Sequence, residues 1–294
     1  GAGASLPTRA LWRDKSGAGG GLITAGSGGL PGAACLAARA SLRAGGGLTV
    51  LGVPASLQPL VAGQLQEIMC APLPEGDGYL TGESVAQIMR EAARVGAVAI
   101  GPGLGRATPT AAALTGVLGE SPLPVVIDAD GLWQLAETGE TLASRAASTV
   151  LTPHSGEAAR LLGVERAQVD AGRLDAAREL AALHGAVVVL KGPGTLIAAP
   201  DGRVVVDGTG SAALASAGTG DVLTGVLVAA LAKGMEPFAA AVAAVALHGR
   251  AAELAGMGDG TIASGWVGTV PPAVGERWEA ARGRVRGVAP ARAG

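Results

Sequence analysis

The sequence predicts one α/β domain of three layers, a mostly parallel central sheet with helices on both faces. Three observations lead there. Short apolar runs alternate with longer segments of helical composition. The strand-like runs are continuously apolar rather than alternating, as expected of strands buried on both faces. Finally, 294 residues that are 49% hydrophobic and 16% charged supply enough apolar surface for a large core. Aromatic residues make up only 2%, so that core has to be built from Ala, Val, Leu and Ile.

In chain order, Gly21–Ala25 reads as a strand ending in a glycine cluster, and Ala33–Arg43 as a helix. Leu48–Val53, Val98–Ile100, Pro124–Ile127 and Val187–Leu190 read as further strands, and Glu157–Leu162 as the start of a helix after a Pro-His-Ser-Gly turn. Thr195–Ala198 and Arg203–Val206 flank Pro200-Asp201-Gly202 and predict a hairpin. Residues 1–14 read as a lead-in, 15–282 as the domain and 283–294, rich in Arg, Gly and Ala, as a flexible tail.

A net charge of −2 gives no electrostatic footprint for nucleic acid. Cys35 and Cys70 lack partners at metal-ligand spacing and read as reduced core thiols. No signal peptide pattern is visible, and the longest apolar run, Val222 to Ala232, is shorter than the roughly 20 residues of a membrane span. These features predict a soluble cytoplasmic protein without a membrane partner.

Ligands of open α/β sheets bind beyond the carboxyl ends of the strands. Five unusual segments follow strands here: Ala25-Gly26-Ser27-Gly28-Gly29, Gly101-Pro102-Gly103-Leu104-Gly105, Asp128-Ala129-Asp130, Thr152-Pro153-His154 and Lys191-Gly192-Pro193-Gly194-Thr195. Their coincidence points to one shared site. Ala217-Gly218-Thr219-Gly220-Asp221 is the most informative segment, because apolar residues at 222, 223, 226, 227, 230 and 231 mark a helix directly after it. Glycines let backbone approach an anion, and the helix N-terminus favours negative charge. Asp221 then has two readings: a base that takes a proton from a hydroxyl attacking phosphorus, or a helix cap.

Other chemistries lack their signatures. There is no G-x-x-x-x-G-K-[ST] loop, and the relaxed G-x-G-x-x-A matches at Gly208–Ala213 and Gly258–Ala263 do not open a βαβ unit. His184 and His248 lie in helical patterns and read as structural, whereas His154 lies in a turn.

The ordered set Ala25-Gly26-Ser27, Pro31-Gly32-Ala33, Gly101 to Gly105, Asp128-Ala129-Asp130, Thr152 to Glu157, Lys191 to Thr195 and Gly218 to Asp221 resembles the ADP/ATP-dependent NAD(P)H-hydrate dehydratases of the ribokinase-like superfamily, over roughly residues 15–280. The resemblance implies a three-layer ribokinase-like fold and a metabolite-repair lyase that dehydrates (6S)-NAD(P)H hydrate, with ADP or ATP as co-substrate and Mg²⁺ as its companion. It implies Asp221 as catalytic base contacting the hydrate, and Ala33, Gly103, Gly105 and His154 as the rest of the hydrate pocket. Lys191, Gly192, Pro193, Gly194 and Thr195, with the anion hole Gly218, Thr219 and Gly220, would hold the nucleotide. Asp128 and Asp130 would support Mg²⁺ or the site indirectly, the metal ligands themselves being unassigned.

An NAD(P)H-hydrate epimerase is implied as pathway partner or fused domain, and a homo-oligomer, a tetramer, as the assembly. The chain departs from the family pattern at Ser211, Trp133, Ser155 and Asp14-Lys15-Ser16. Rival readings are a hydroxyethylthiazole- or hydroxymethylpyrimidine-type kinase, a non-catalytic nucleotide-binding protein, and a dinucleotide-dependent oxidoreductase.

Overall fold

A computed structural model describes residues 19–256 and 260–276. The lead-in at 1–14, Asp14-Lys15-Ser16, the tail at 283–294 and part of Gly258–Ala263 lie outside the described residues.

The N-terminal half alternates strand and helix. In order come β1 (Gly20–Thr24), α1 (Pro31–Arg43), β2 (Leu48–Pro54), α2 (Gln58–Ala62), β3 (Met69–Leu73), β4 (Glu75–Gly76), β5 (Tyr79–Leu80), α3 (Ser84–Ala92), β6 (Ala97–Ile100), α4 (Thr108–Glu120), β7 (Val125–Ile127) and α5 (Asp130–Thr138). Then follow β8 (Thr149–Leu151), α6 (Ser155–Leu162), α7 (Arg166–Ala171), α8 (Arg173–His184), β9 (Val187–Leu190), β10 (Thr195–Ala198) and β11 (Val204–Asp207). A 3₁₀ turn at Ala212–Ala215 leads into α9 (Thr219–Ala232), α10 (Pro237–Ala255) and α11 (Ala263–Trp266).

Among the described residues nine strands form one sheet in the order β11-β10-β9-β8-β7-β6-β1-β2-β3, and β4 pairs with β5 as a separate hairpin. All ladders from β3 to β9 are parallel, and β10 and β11 are antiparallel. The chain lays β1, β2 and β3 outward in one direction, then returns to the other side of β1 with β6. The switch point between β1 and β6 opens a crevice at their carboxyl ends.

Because side chains alternate across a strand, each strand feeds two cores. Ile23, Leu51, Ala99, Val126, Val150 and Val189 face a core shared with α1, α9 and α10. Leu22, Val50, Ile100, Ile127, Leu151 and Leu190 face the other, shared with α3, α4, α5, α6 and α8. The three predicted layers are therefore present.

The predicted elements are shifted by small amounts. α6 begins at Ser155 rather than Glu157, because His154 caps it. The hairpin register Thr195↔Asp207 moves β11 one residue later than expected. Cys35 and Cys70 are free thiols, as expected, and burial raises the pKa of each. The longest apolar element is not Val222 to Ala232. It is α10, with 19 residues, and among the described residues it is the one helix long and apolar enough to cross a membrane by length and composition. Its best 18-residue window is 67% buried inside the protein, which fits a core helix packed on the sheet.

α9 is apolar on all sides because it is buried on all sides, between the sheet, α1 and α10. Gly225 is what lets α1 come so close: a Cβ there would lie 2.1 Å from the Ala37 carbonyl oxygen and 2.8 Å from Ala40 Cβ. Gly225→Ala is expected to force the two helices apart and cost about 1–3 kcal/mol, outweighing the gain in helix propensity. An unchanged urea midpoint in that variant would contradict this packing.

Candidate active site

The site lies at the carboxyl edge of the sheet and begins with Asp128, the residue after β7. Its side chain is 1% exposed and makes three bonds. Oδ1 accepts from Thr152 Oγ1 at 2.7 Å and from Lys191 Nζ at 2.9 Å, and Oδ2 accepts from Thr224 Oγ1 at 2.7 Å. Thr152 follows β8, Lys191 follows β9 and Thr224 lies on α9, so one carboxylate joins three strand ends to the helix. Burial pushes the Asp128 carboxyl upward, but the Lys191 charge and the two hydroxyls outweigh it and hold the pKa below the usual value. Lys191 is opposed by burial and supported by Asp128 and Glu157, and its net shift is upward; it stays an ammonium.

Around this pair the backbone is crowded. Ala129 takes φ 48°, uncommon for a residue with a side chain. Gly101 faces it with φ +140°, and a Cβ at Gly101 would fall 1.8 Å from the Asp128 carbonyl oxygen. Only glycine fits there.

Lys191 Nζ also lies 3.7 Å from Glu157 Oε2. Glu157 in turn accepts from the His154 backbone N–H at 2.7 Å, while His154 Nδ1 accepts from the amides of Gly156 and Glu157 at 3.0 and 3.1 Å. This reciprocal pair is a capping box with His in the usual Ser or Thr position. It fixes Nδ1 as the unprotonated ring nitrogen. Burial raises the Glu157 pKa, with Lys191 opposing the rise.

α9 begins beside Lys191. Gly218 is its N-cap with φ 85°, and the amides of Thr219, Gly220 and Asp221 precede the first intrahelical bond, from Val222 N–H to the Gly218 carbonyl. A Cβ at Gly220 would lie 3.3 Å from Lys191 Nζ and 3.9 Å from Asp128 Oδ2. The first turn of a buried helix and an ammonium thus face the same space.

That space is a cavity of about 570 Å³ lined by Lys191, Gly192, Pro193, Gly194 and Thr195 on one side and by Thr219 and Gly220 on another. Residues 207–212, 214 and 215 close a third side, and Val245, His248 and Gly249 of α10 form the back. The sequence therefore located one wall and the helix terminus. The wall from α10 was missed, because its residues are an ordinary apolar face until the loop at 207–215 folds over them. Gly208–Ala213, considered as a relaxed dinucleotide match, is part of that loop and opens no βαβ unit.

Asp221 is the third residue of α9 and Gly218 holds the N-cap position, so the carboxylate is an acidic first-turn residue and not the N-cap itself. Burial raises its pKa to about 7, with the Asp128 charge adding to the rise and Lys191 opposing it. Asp130, the next contributor, anchors the opposite rim of the crevice: its Oδ2 accepts from the Gly105 amide at 3.0 Å and its Oδ1 from Arg106 Nε at 3.2 Å. Asp221 is thus in electrostatic reach of both sides.

On that rim Ala33 and Gly103 meet, since a Cβ at Gly103 would stand 3.1 Å from Ala33 Cβ. Gly105 lies against the chain's single tyrosine, Tyr79, and against Ser27. His154 is not drawn into this group. It stands two strands along, 60% exposed, with its bonds directed to its own helix and its backbone bridged to Lys191.

Of the two roles expected for Asp128 and Asp130, support of Mg²⁺ or indirect support of the site, their hydrogen bonds display the indirect one. Every oxygen of both carboxylates already accepts a hydrogen bond. Among the described residues no cluster of three or more His, Cys, Asp or Glu is placed to hold a metal ion.

The family model described as NAD(P)H-hydrate dehydratase matches residues 21–264. The chain belongs to this family. It is 40% identical over 261 residues to the ADP-dependent (S)-NAD(P)H-hydrate dehydratase of Neisseria meningitidis, covering 87% of this chain and 83% of that one. It is 41% identical over 233 residues to the bifunctional NAD(P)H-hydrate repair enzyme Nnr of Moorella thermoacetica, covering 79% of this chain and 44% of that enzyme. The chain therefore spans less than half the length of that bifunctional relative.

Among solved structures, the Bacillus subtilis ADP/ATP-dependent NAD(P)H-hydrate dehydratase co-crystallised with ATP and Mg²⁺ superposes with a TM-score of 0.78 at 35% identity, over 94% of this chain and 95% of that one. A ribokinase-like protein of Enterococcus faecalis at 22% identity and TM-score 0.80 shares the fold. The dehydratase fold is therefore ribokinase-like, as the sequence resemblance implied.

The raised Asp221 pKa carries a stability consequence. Between the ordinary value of 3.8 and about 7 the folded protein holds a proton that the unfolded chain has released, so stability falls as pH rises through that window. Asp221→Asn is expected to stabilise the fold by about 1–3 kcal/mol at pH 8 and to leave it unchanged near pH 4. Thermal melts at the two pH values check this; equal melting temperatures of variant and parent at pH 8 would contradict it.

Proposed function

We propose that this chain dehydrates (6S)-NAD(P)H hydrate at the expense of ADP or ATP. Asp221 accepts the proton of the ring C6 hydroxyl as its oxygen attacks the terminal phosphorus, and AMP (or ADP) leaves. The C6–O bond then breaks, the ring nitrogen's lone pair expelling phosphate, and loss of a proton from C5 restores the double bond of NAD(P)H. The observation that carries this reading is one half-buried carboxylate, Asp221, one residue beyond the cavity lining, in the first turn of a helix whose Thr219 and Gly220 share that cavity with Lys191. A pKa near 7 suits a base that works at neutral pH.

In this reading Lys191 to Thr195, Gly218, Thr219 and Gly220 hold the nucleotide. Lys191 and the amides of α9 offset the charge that builds on the transferred phosphoryl group. Gly218 does not line the cavity but sets its turn, where Leu36 and Ala263 leave no room for a side chain. Ala33, Gly103 and Gly105 form a flat backbone wall for the hydrated ring, and His154 contributes from the far rim. Mg²⁺ would supply charge neutralisation on the phosphates, with Asp128 and Asp130 supporting the site around it. The bifunctional relatives fit an epimerase activity working beside this one. A cytoplasmic homotetramer remains part of the proposal.

Incubation with the hydrate and ADP or ATP is expected to restore reduced-nicotinamide absorbance and release phosphate. Recovery with neither nucleotide would overturn the reading, and a stable phosphorylated product would favour the kinase alternative. Asp221→Asn is expected to lower kcat by about 10²–10⁴-fold while ATP still binds. In the parent enzyme kcat/KM should rise with pH and level off above about 7, because the base acts when ionised. A flat profile from pH 5 to 9 would argue against Asp221 as that base.

A further inference from the structure

α10 presents Val245, His248, Gly249, Ala252 and Glu253 on one face, at the spacing of successive helical turns. The loop before α9 is fastened to that face. The Gly210 amide donates to Glu253 Oε1 at 3.0 Å, Ser211 Oγ donates to the Ala252 carbonyl at 3.3 Å, and Thr209 packs so closely on Gly249 that a Cβ there would sit 2.1 Å from its hydroxyl. The last fastening is His248, whose Nε2 lies 2.8 Å from the carbonyl oxygen of Thr219.

A carbonyl oxygen can only accept, so Nε2 carries the proton and the ring is held as one tautomer. The ring is further wedged edge-to-face against the fully buried Trp266, with centroids 5.1 Å apart at 69°. Burial lowers its pKa to about 4; the Thr219 contact opposes that shift and the Lys191 charge adds to it. The imidazole is therefore neutral at physiological pH.

The carbonyl of Thr219 and the amide of Gly220 belong to the same planar trans peptide, in which C=O and N–H point in opposite directions. Fixing one fixes the other. Gly220 has no side chain with which to hold its own peptide, and its preceding turn runs through Gly218 at φ 85°. A hydrogen bond to the carbonyl also polarises the peptide and strengthens the N–H as a donor.

We infer that His248 is a positioning residue for phosphate binding: by gripping the Thr219 carbonyl from inside the cavity wall it aims the Gly220 amide at the nucleotide's terminal phosphate. This adds a functional consequence to the structural role that its helical pattern suggested. The inference rests on the reading of the 218–221 turn as the phosphate-binding end of the site.

The test compares His248→Phe, which keeps a ring against Trp266 but loses the donor, with His248→Gln, whose side-chain amide reaches the same carbonyl. Binding is measured by calorimetry with ATP, ADP and AMP. His248→Phe is expected to bind ATP and ADP about tenfold more weakly, the scale of one hydrogen bond to a charged group, and AMP within threefold of the parent. His248→Gln should recover most of the difference. In the dehydration assay, kcat of the Phe variant should fall more than KM for the nucleotide rises.

Equal weakening for all three nucleotides, or no weakening, would overturn the inference. So would a Gln variant as impaired as the Phe one at matched melting temperature. If the parent binds ATP no more tightly than AMP, it is the phosphate-binding reading of the turn that fails, and the inference with it. A parent that binds ATP tightly but leaves the hydrate unchanged would sink the dehydratase reading alone, and the binding comparison would still decide His248.

Discussion

The ion pair between Asp128 and Lys191 is the contact on which the rest of the site depends. It spans β7 and β9, passes over β8 through Thr152, and reaches α9 through Thr224. Taking a carboxylate and an ammonium out of water is unfavourable by several kcal/mol per ion, and a bare pair of this kind gains little or nothing over apolar residues of the same shape. Here the two hydroxyls and Glu157 complete the coordination, so the pair is stable. Its return is positional. A cation is fixed beside the first turn of α9, and an anion is fixed where it raises the pKa of Asp221.

The same edge of the sheet carries the molecule's strain. Ala129 at φ 48°, Gly101 pressed on the Asp128 carbonyl, and a half-buried Asp221 whose pKa is raised to about 7 are local choices that a stability-driven sequence would avoid. They lie at the switch point between β1 and β6 and its neighbours, where an open sheet leaves room for a ligand. The two cores below, filled by alternate residues of the same strands, are ordinary packing and hold that edge rigid.

Much of this was legible in the sequence because it is local. Continuous apolar runs such as Val187–Leu190 specify buried parallel strands, and the glycines at 101, 103, 105, 218 and 220 signal backbone that a side chain would obstruct. Asp221 stood out because a carboxylate opens an apolar helix. The edge strand β3, Met-Cys-Ala-Pro-Leu, was missed because it carries a proline and exposes alternate residues, and β4 and β5 because each pairs over only two residues. Thr224 and His248 were not legible for a different reason. Their partners are 96 and 29 residues away, and each looks like a minor interruption of an apolar helix until the chain closes. Asp128 stood out as part of Asp-Ala-Asp, but its bonds to Thr152, Lys191 and Thr224 were not legible, since those partners lie 24, 63 and 96 residues away.

Asp128 both holds Lys191 and adds to the rise that burial imposes on the Asp221 pKa. The most direct test of this coupling is the titration of the Asp221 carboxyl, followed by carbon-detected NMR in the parent protein and in Asp128→Asn. The parent should titrate at about 7. Removing the Asp128 charge while Lys191 remains should lower that value by about one unit or more, since a nearby like charge is lost and the cation is no longer neutralised. An Asp221 carboxyl that titrates at the same pH in both proteins would contradict the account.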